Sequence, residues 1–293
     1  MLFVEMEMLQ SFLVTSRETL EASLVVGIVL AYLYKTNNRK FTKSVFPGVV
    51  AGILASILAA FLFHLYAGGI VGRAEEIFEG TTMLIGSFLL TTMIGWMMRQ
   101  RHLAQEIEGK VKAHMAHANQ VFSHLGIFLI IFIAILREGV ETVIFLNAAH
   151  FAGGVNFMGG LLGVVAAIIA GYLFFLSSHR INLKRLFSVS SVLLIFFAAG
   201  LVAHGVHELE EAGLLNGIIT PLFDINPSIN PDGSVPWLHE QGVVGSFLKG
   251  LFGYNGNPSL LEVISYTSYL GIIGAVYWRT FKSSQPANQH SPI

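Results

Sequence analysis

Seven segments of the chain are apolar over about 20 residues each, and this pattern constrains the fold more than any other feature. A helix needs about 20 mostly apolar residues to cross the hydrocarbon core of a bilayer, because each residue adds only about 1.5 Å. The sequence therefore predicts an all-α integral membrane protein with seven transmembrane helices. The segments span about 10–34, 45–66, 77–98, 122–149, 158–178, 186–207 and 259–279.

The composition agrees with this class and excludes several others. Only 12% of the 293 residues are charged, whereas soluble domains carry about 25%. The chain has no cysteine, which excludes disulfides, thiolate metal sites and cysteine nucleophiles. It has no basic run that would indicate nucleic acid, and no phosphate-binding glycine-rich motif. We therefore expect neither nucleic acid nor an organic cofactor, and lipid as the surrounding medium.

The basic residues predict an orientation for the seven helices. Thirteen of the 17 lysines and arginines fall in the first, third and fifth loops and in the C-terminal tail. Cytoplasmic loops carry this excess, so the N-terminus is predicted outside and the C-terminus inside. We expect one permease domain over 1–280 and a cytoplasmic tail over 281–293. The external loop at about 208–258 contains "GVVGSFLKGLFG", which predicts a short or re-entrant helix.

Two of the apolar segments carry the same charged pattern. "RETLE" lies in the first segment and "REGVE" in the fourth, and the predicted topology places these helices antiparallel. This indicates an inverted 3+3 repeat, with repeat one at about 10–98, repeat two at about 122–207, and a seventh helix at about 259–279. Inverted repeats place their substrate site near the bilayer midplane. The charged residues are Arg17, Glu18, Glu21, Arg137, Glu138 and Glu141.

The spacing within each motif gives these residues a common chemistry. Two glutamates at i and i+3 share one helix face, and an arginine at i reaches a carboxylate at i+4. A charge at the bilayer centre costs about 2.5–3.5 kcal/mol, so the six charges must face each other or water. A local ion pair that holds helices together is the simpler interpretation. However, four carboxylates outnumber two guanidiniums, and the surplus indicates a bound cation. Oxygen ligands suit Mg, Ca, Mn or ferric iron and tolerate ferrous iron.

Two further acidic groups lie at the predicted external ends of helices. Acidic side chains at the start of a helix are ordinary, but those at the end of the sixth helix oppose its dipole. We expect these groups to form an external mouth that attracts a cation. The first group is Glu75, Glu76 and Glu79, and the second is His204, His207, Glu208 and Glu211.

The two motifs and the acidic segments "EEIFEG" and "GVHELEEAG" resemble the oxidase-dependent iron permeases of the Ftr/EfeU type, over about residues 10–280. The resemblance implies high-affinity iron import across the plasma membrane, the inner membrane of a bacterium. It implies that iron is supplied outside as Fe2+ and handled as Fe3+ after oxidation. It also implies an extracytoplasmic oxidase or iron-binding partner, for which the loop at 208–258 is the expected docking surface. The implied iron ligands are Glu18, Glu21, Glu138 and Glu141, with Arg17 and Arg137 as charge partners.

Three alternatives stay open from the sequence. The chain could transport another metal cation such as lead or manganese. Four glutamates on facing helices could instead form a membrane-embedded di-iron carboxylate enzyme, although such sites usually contain Glu-x-x-His pairs. The chain could also be a partner or sensor subunit that transports nothing.

Overall fold

The structure is a computed structural model that describes residues 2–99, 103–115, 120–152, 154–176, 183–217, 219–231 and 234–283. Within these residues the fold is all-α, with nine helices and a short 3-10 turn at Arg39–Phe41. The helices are α1 (Leu2–Lys35), α2 (Thr42–Ala67), α3 (Arg73–Arg99), α4 (Leu103–Met115), α5 (Gln120–Ala152), α6 (Phe157–Leu176), α7 (Leu183–Glu211), α8 (Val243–Phe252) and α9 (Leu260–Ser283).

The seven long helices overlap the seven apolar segments, and the predicted all-α fold is confirmed. Three described helical stretches are long and apolar enough to cross a bilayer: Arg39–Ala67, Arg73–Gly95 and Ser190–Glu211. Shorter apolar stretches lie at Phe157–Leu173 and Leu260–Val276. The count of seven spans and their orientation stay predictions, and residues 284–293 of the predicted tail lie outside the described residues.

Two short helices add detail that the apolar segments do not give. The third loop contains α4, for which the sequence analysis made no prediction. Its Ile107 and Val111 are buried one turn apart, while Glu106 and Lys110 form an exposed ion pair of 2.8 Å. This amphipathic pattern is too short to resemble a membrane span. The apolar piece of the loop that is predicted to be external forms α8, as a short helix.

The long helices pack in related pairs. α1 makes its most extensive contact with α6, and α5 makes its most extensive contact with α2. α3 packs along α7. If α1, α2 and α3 are exchanged with α5, α6 and α7 in that order, the α1–α6 contact becomes the α5–α2 contact and the α3–α7 contact is unchanged. The main contacts therefore have the same pattern in both units. The two three-helix units are interlocked rather than side by side, while the inverted repeat itself stays a prediction.

Glycines allow the two interlocking contacts to be close. Gly48 and Gly52 on α2 face α5, and Gly159 and Gly163 on α6 face α1. A Cβ added at Gly52 would lie 2.7 Å from Cβ of Ile135, and one added at Gly163 would lie 2.6 Å from the Phe12 carbonyl oxygen. Small residues four apart permit such close helix packing in membranes. Both units therefore use the same packing device.

The buried apolar residues form two separate clusters along α1 and α5. The α3–α7 cluster includes Val14 of α1 and Phe145 of α5. The α2–α4 cluster includes Val29 of α1 and Ile135 of α5, together with residues of α4. Both charged motifs lie between these positions in the chain. The fold therefore holds the charges in a layer between two apolar clusters.

The short helix α8 is inserted into the bundle between α1 and α7. The Gln10 side-chain amide donates a hydrogen bond to the Gly250 carbonyl oxygen, and Tyr266 Oη donates to the Phe252 carbonyl oxygen at 2.7 Å. Gly253, with a φ of 67°, ends the helix beside Gly200. Gly200 lies eleven residues before the end of α7, a distance of about 16 Å along the helix. The end of α8 therefore lies beside the middle part of α7, and the re-entrant course of the segment stays a prediction.

Candidate metal centre

The α1 motif is enclosed by other side chains. Arg17 Nη1 lies 2.9 Å from Glu18 Oε1, and Nη2 lies 3.0 Å from Glu21 Oε1. The side chains of Arg17 and Glu18 are each only 2% exposed. Arg17 Nη1 also lies 3.0 Å from the Met93 sulfur, which belongs to α3. A guanidinium removed from water in this way needs these partners, because an unpaired buried charge costs several kcal/mol.

The α5 motif makes a similar ion pair in a different environment. Arg137 Nε donates to Glu141 Oε1 at 2.8 Å, the i, i+4 contact that the sequence predicts. The Arg137 side chain is 50% exposed, in contrast to Arg17. Glu138, the neighbour of Arg137, is buried. The motif therefore has one buried carboxylate and one guanidinium that is open to its surroundings.

The two motifs meet at the contact between α1 and α5. One carboxylate oxygen from each of Glu18, Glu21 and Glu138 lies within 4.8 Å of the others. Glu141 lies at the edge of this group, and its charge acts on the other three. Among the described residues, no donor bonds the second oxygen of Glu18, Glu138 or Glu141. Carboxylates at this separation repel one another, so the cluster favours a cation with a hard-ligand preference.

The predicted external groups come together only in part. Gly80 of α3 and Gly205 of α7 pack against each other, which places Glu208 beside the next turn of α3. There the charge of Glu208 interacts with Glu79, Glu76 and Glu211, and that of Glu79 with Glu75 and His150. His204 instead bonds the Gly200 carbonyl oxygen of its own helix at 2.9 Å. Glu79 and Glu208 therefore form the centre of the acidic group.

His207 belongs to a second group that the sequence analysis missed in part. Its Nδ1 lies 3.0 Å from an oxygen of Glu262, and its Nε2 lies 3.3 Å from Glu211. Ser259 Oγ bonds Glu210 at 2.5 Å. Ligand atoms of His207, Glu210 and Glu262 lie within 4.8 Å of one another.

Glu262 has a structural role at the start of α9. Its backbone N–H bonds Ser259 Oγ at 3.1 Å, while its carboxylate accepts from the Ser259 N–H at 2.9 Å. This reciprocal pair is a capping box, and the pattern Ser-x-x-Glu before the seventh apolar segment is the sequence signal for it. The buried Glu262 thus joins α9 to the end of α7 through His207.

Long apolar helices that enclose a layer of carboxylates define an integral membrane protein able to hold a cation inside the bundle. The model of the Iron permease FTR1 family matches residues 8–282, so the chain belongs to that family. It is therefore an iron transporter of the plasma membrane, the bacterial inner membrane, and not an enzyme. The membership confirms the resemblance drawn from the two motifs, and it does not favour the di-iron enzyme.

Similar proteins cover nearly the whole chain. A protein of Archaeoglobus fulgidus is 32% identical over 279 residues, which is 94% of this chain and 96% of the relative. The ferrous iron permease EfeU of Yersinia pestis is 31% identical over 268 residues, 88% of this chain and 89% of the relative. The ferrous iron permease EfeU of Escherichia coli is 30% identical over 265 residues, 88% of this chain and 91% of the relative. No solved structure is significantly similar to the chain.

Proposed function

We propose that the chain imports iron through a site near the bilayer midplane formed by Glu18, Glu21, Glu138 and Glu141. The observation that carries this proposal is the convergence of Glu18, Glu21 and Glu138 within 4.8 Å, with Glu141 at the edge. Four carboxylates against Arg17 and Arg137 leave a net charge of −2 in a layer between two apolar clusters. A metal ion would neutralise this charge, since an uncompensated charge at this depth is costly.

The external acidic group supplies a first contact for the metal. Glu79 and Glu208 lie across the contact between α3 and α7, with Glu75, Glu76 and Glu211 near them. A group of like charges raises the local concentration of cations. Iron then passes to the four glutamates and on to the cytoplasm, as the two three-helix units move relative to each other. His204 and His207 have protein partners, so we assign them a supporting role at the mouth.

The net charge of the carboxylate layer bears on the oxidation state of the iron. An Fe2+ ion balances the net −2 in full, and the relatives that are named ferrous iron permeases agree with Fe2+ as the supplied form. We propose that an extracytoplasmic partner receives this iron, and that where the partner is an oxidase it passes one electron from each Fe2+ to dioxygen, which is reduced to water with protons from the medium, and delivers Fe3+. Fe3+ prefers carboxylate oxygens more strongly than Fe2+. With Fe3+ bound, the site would carry a net charge of +1. Movement of Arg17 or Arg137 away from its glutamate would then lower this positive charge.

The external loop offers a surface for that partner. Between α7 and α9, several large apolar side chains are exposed, and Trp237 is 67% exposed. Aromatic and apolar residues are typical of the centres of protein interfaces. The exposed apolar residues include Phe223, Ile225, Ile229, Trp237 and Leu238.

The test compares Glu18→Gln and Glu138→Gln with a matched change outside the site. Uptake of radioactive iron into proteoliposomes should fall to background in both variants, because each loses one negative ligand. Glu106→Gln, on the exposed face of α4, should keep normal uptake. Equal amounts of folded protein in all vesicles are the control for expression. Normal uptake by either site variant would contradict the four-glutamate site.

The same vesicles address the metal and the state of oxidation. Excess Mn2+ or Pb2+ should inhibit iron uptake less than excess iron does, if iron is the preferred cargo. Wild-type vesicles should import iron without any other protein when Fe3+ is offered as a soluble chelate. Flux from the chain alone also excludes the interpretation as a non-transporting subunit.

A further inference from the structure

The exposed face of α2 shows what a lipid-facing helix looks like in this fold. From Phe46 to Leu62 its exposed side chains are apolar and recur at each turn of the helix. Ile57, near the middle, is 59% exposed. Such a face needs only hydrocarbon against it, because it presents no charge.

The exposed face of α5 is different in length and in chemistry. Leu125, Leu129 and Ile133 are exposed one turn apart, and the next residue of this row is Arg137. None of the described side chains from 138 to 149 is exposed. The exposed row therefore covers only the N-terminal half of the helix, and it ends at the charged layer.

Hydrocarbon is a poor medium for the end of this row. A half-exposed guanidinium at mid-helix would cost several kcal/mol against lipid. Arg137 lies 17 residues, or about 25 Å, from the start of α5, which is too far for its side chain to extend to that membrane surface. Its Nε is also directed to Glu141, away from that end. Water is therefore the medium that its exposure requires.

We propose that Leu125, Leu129, Ile133 and Arg137 line a water-filled cleft that connects the carboxylate site with the N-terminal end of α5. By the charge rule for loops, that end lies on the cytoplasmic side. The cleft is the path by which iron leaves the site, so the inference rests on the proposed function. Arg137 is the positioning residue at its inner end, because its guanidinium can turn from Glu141 into water and free that carboxylate.

Other helices pack beside the two motif helices on their remaining sides. On α5, α4 covers the adjacent face, where Ile107 and Val111 pack with Ile127 and Ile131. On α1, Leu13 corresponds in position to Ile133 but is only partly exposed; it lines a cavity together with Leu251 of α8, and Gln10 bonds the Gly250 carbonyl oxygen beside it. Among the described residues of the two motifs, the charged layer is thus exposed through Arg137 on α5. This arrangement is the inward-open state of the transporter.

The absence of cysteine from the chain makes the cleft directly measurable. Single cysteines at Leu129 and Ile133 test the row, Ile131→Cys is a buried control on the same helix, and Ile57→Cys is a control of equal exposure on α2. The probe is a charged, membrane-impermeant methanethiosulfonate, applied separately to each side of sealed vesicles. Only a thiol in water reacts quickly, because the reactive thiolate is excluded from hydrocarbon.

We expect Ile133→Cys and Leu129→Cys to react more than about tenfold faster than Ile57→Cys, and only from the cytoplasmic side. Iron at saturating concentration should slow the reaction at Ile133→Cys, while Ile131→Cys stays unreactive. A rate at Ile133→Cys equal to that at Ile57→Cys would show that the row faces lipid and overturn the cleft. Reaction from the external side only would overturn its direction.

A second background separates this inference from the proposed function. The same labelling is repeated with Glu18→Gln, which should abolish transport but leave the cleft hydrated. Fast labelling with lost transport supports both proposals. Fast labelling that iron does not slow, together with normal transport in Glu18→Gln, would contradict the site but keep the cleft.

Discussion

The two charged motifs have the same pattern of residues and opposite surroundings. In α1, Arg17 is enclosed, hydrogen-bonds Glu18, forms an ion pair with Glu21 and contacts the Met93 sulfur. In α5, Arg137 bonds Glu141 and its side chain is half exposed. The difference arises outside the motifs, since Met93 of α3 contacts Arg17 and α8 packs against α1, whereas half of the Arg137 side chain is uncovered. A repeated motif therefore defines the ligands of a site but not which side of it is open.

The largest expected difference between the motifs is in folding. Arg17→Ala leaves Glu18 buried beside other carboxylates without its cation, which should cost about 3–5 kcal/mol. Arg137→Ala removes a half-exposed partner and should cost less than about 1 kcal/mol. Thermal unfolding of both variants in detergent, followed by size-exclusion chromatography, measures the difference. Equal losses of stability would mean that the two environments are alike.

Substitution of the contact glycines should destabilise the two three-helix units equally. The difference between the units would then be confined to the charged motifs. Gly52→Ala and Gly163→Ala each place a methyl group within 2.7 Å of the facing helix, so the helices must separate. We expect each to destabilise the protein by about 1–3 kcal/mol. Gly95→Ala, where nothing lies within 4 Å of the added methyl group, is the control. A large effect in only one unit would show that the interlocking contacts are unequal.

Loosening the segment that covers α1 should make the two motifs more similar. Ser259→Ala removes the cap of α9 and the bond to Glu210, at a cost of about 1 kcal/mol. The bonds of Ser259 to Glu262 and Glu210 hold the segment that carries α8 against the end of α7. Without them, a cysteine at Leu13 should become more reactive to the charged thiol reagent. Ser265→Ala, which removes only a bond within α9, is the matched control. Unchanged reactivity of the cysteine at Leu13 would show that the Ser259 bonds do not hold α8 against α1.

The smallest expected effect concerns Met93. Met93→Leu keeps the volume of the side chain but removes the sulfur that accepts from Arg17. We expect a loss below about 1 kcal/mol and nearly normal iron uptake. The change should be detected only when Arg17 is present, so a double variant with Arg17→Lys tests the contact. Additive losses in unfolding experiments would show that the sulfur and the guanidinium act independently.

The sequence predicted the features that depend on chain-long patterns. Apolar segments gave the positions of the long helices, and the i, i+4 spacing gave the ion pairs of Arg17 with Glu21 and Arg137 with Glu141. It also gave the family, through the two motifs. The helix positions and the two ion pairs depend on neighbours within one helix, which a sequence displays directly.

The features that the sequence did not predict depend on contacts between distant segments. Arg137 is half exposed because the other described helices leave that part of its side chain uncovered, which the sequence of α5 does not reveal. The helix α4 was not predicted because it is too short to resemble a span. The partner of His207 was missed because Glu262 lies 55 residues further along the chain, behind an irregular loop. Its capping pattern with Ser259 was present but indicated only a helix start.

The charged layer between two apolar clusters also has an electrical consequence. A membrane potential falls across the part of a protein that excludes water, and it is worth about 2.3 kcal/mol per charge per 100 mV. With water reaching Arg137 along α5, most of the voltage would drop across the α3–α7 cluster on the other side of the layer. An iron ion that passes this dielectric would gain nearly the whole driving force before it reaches the glutamates, and its release would depend little on voltage.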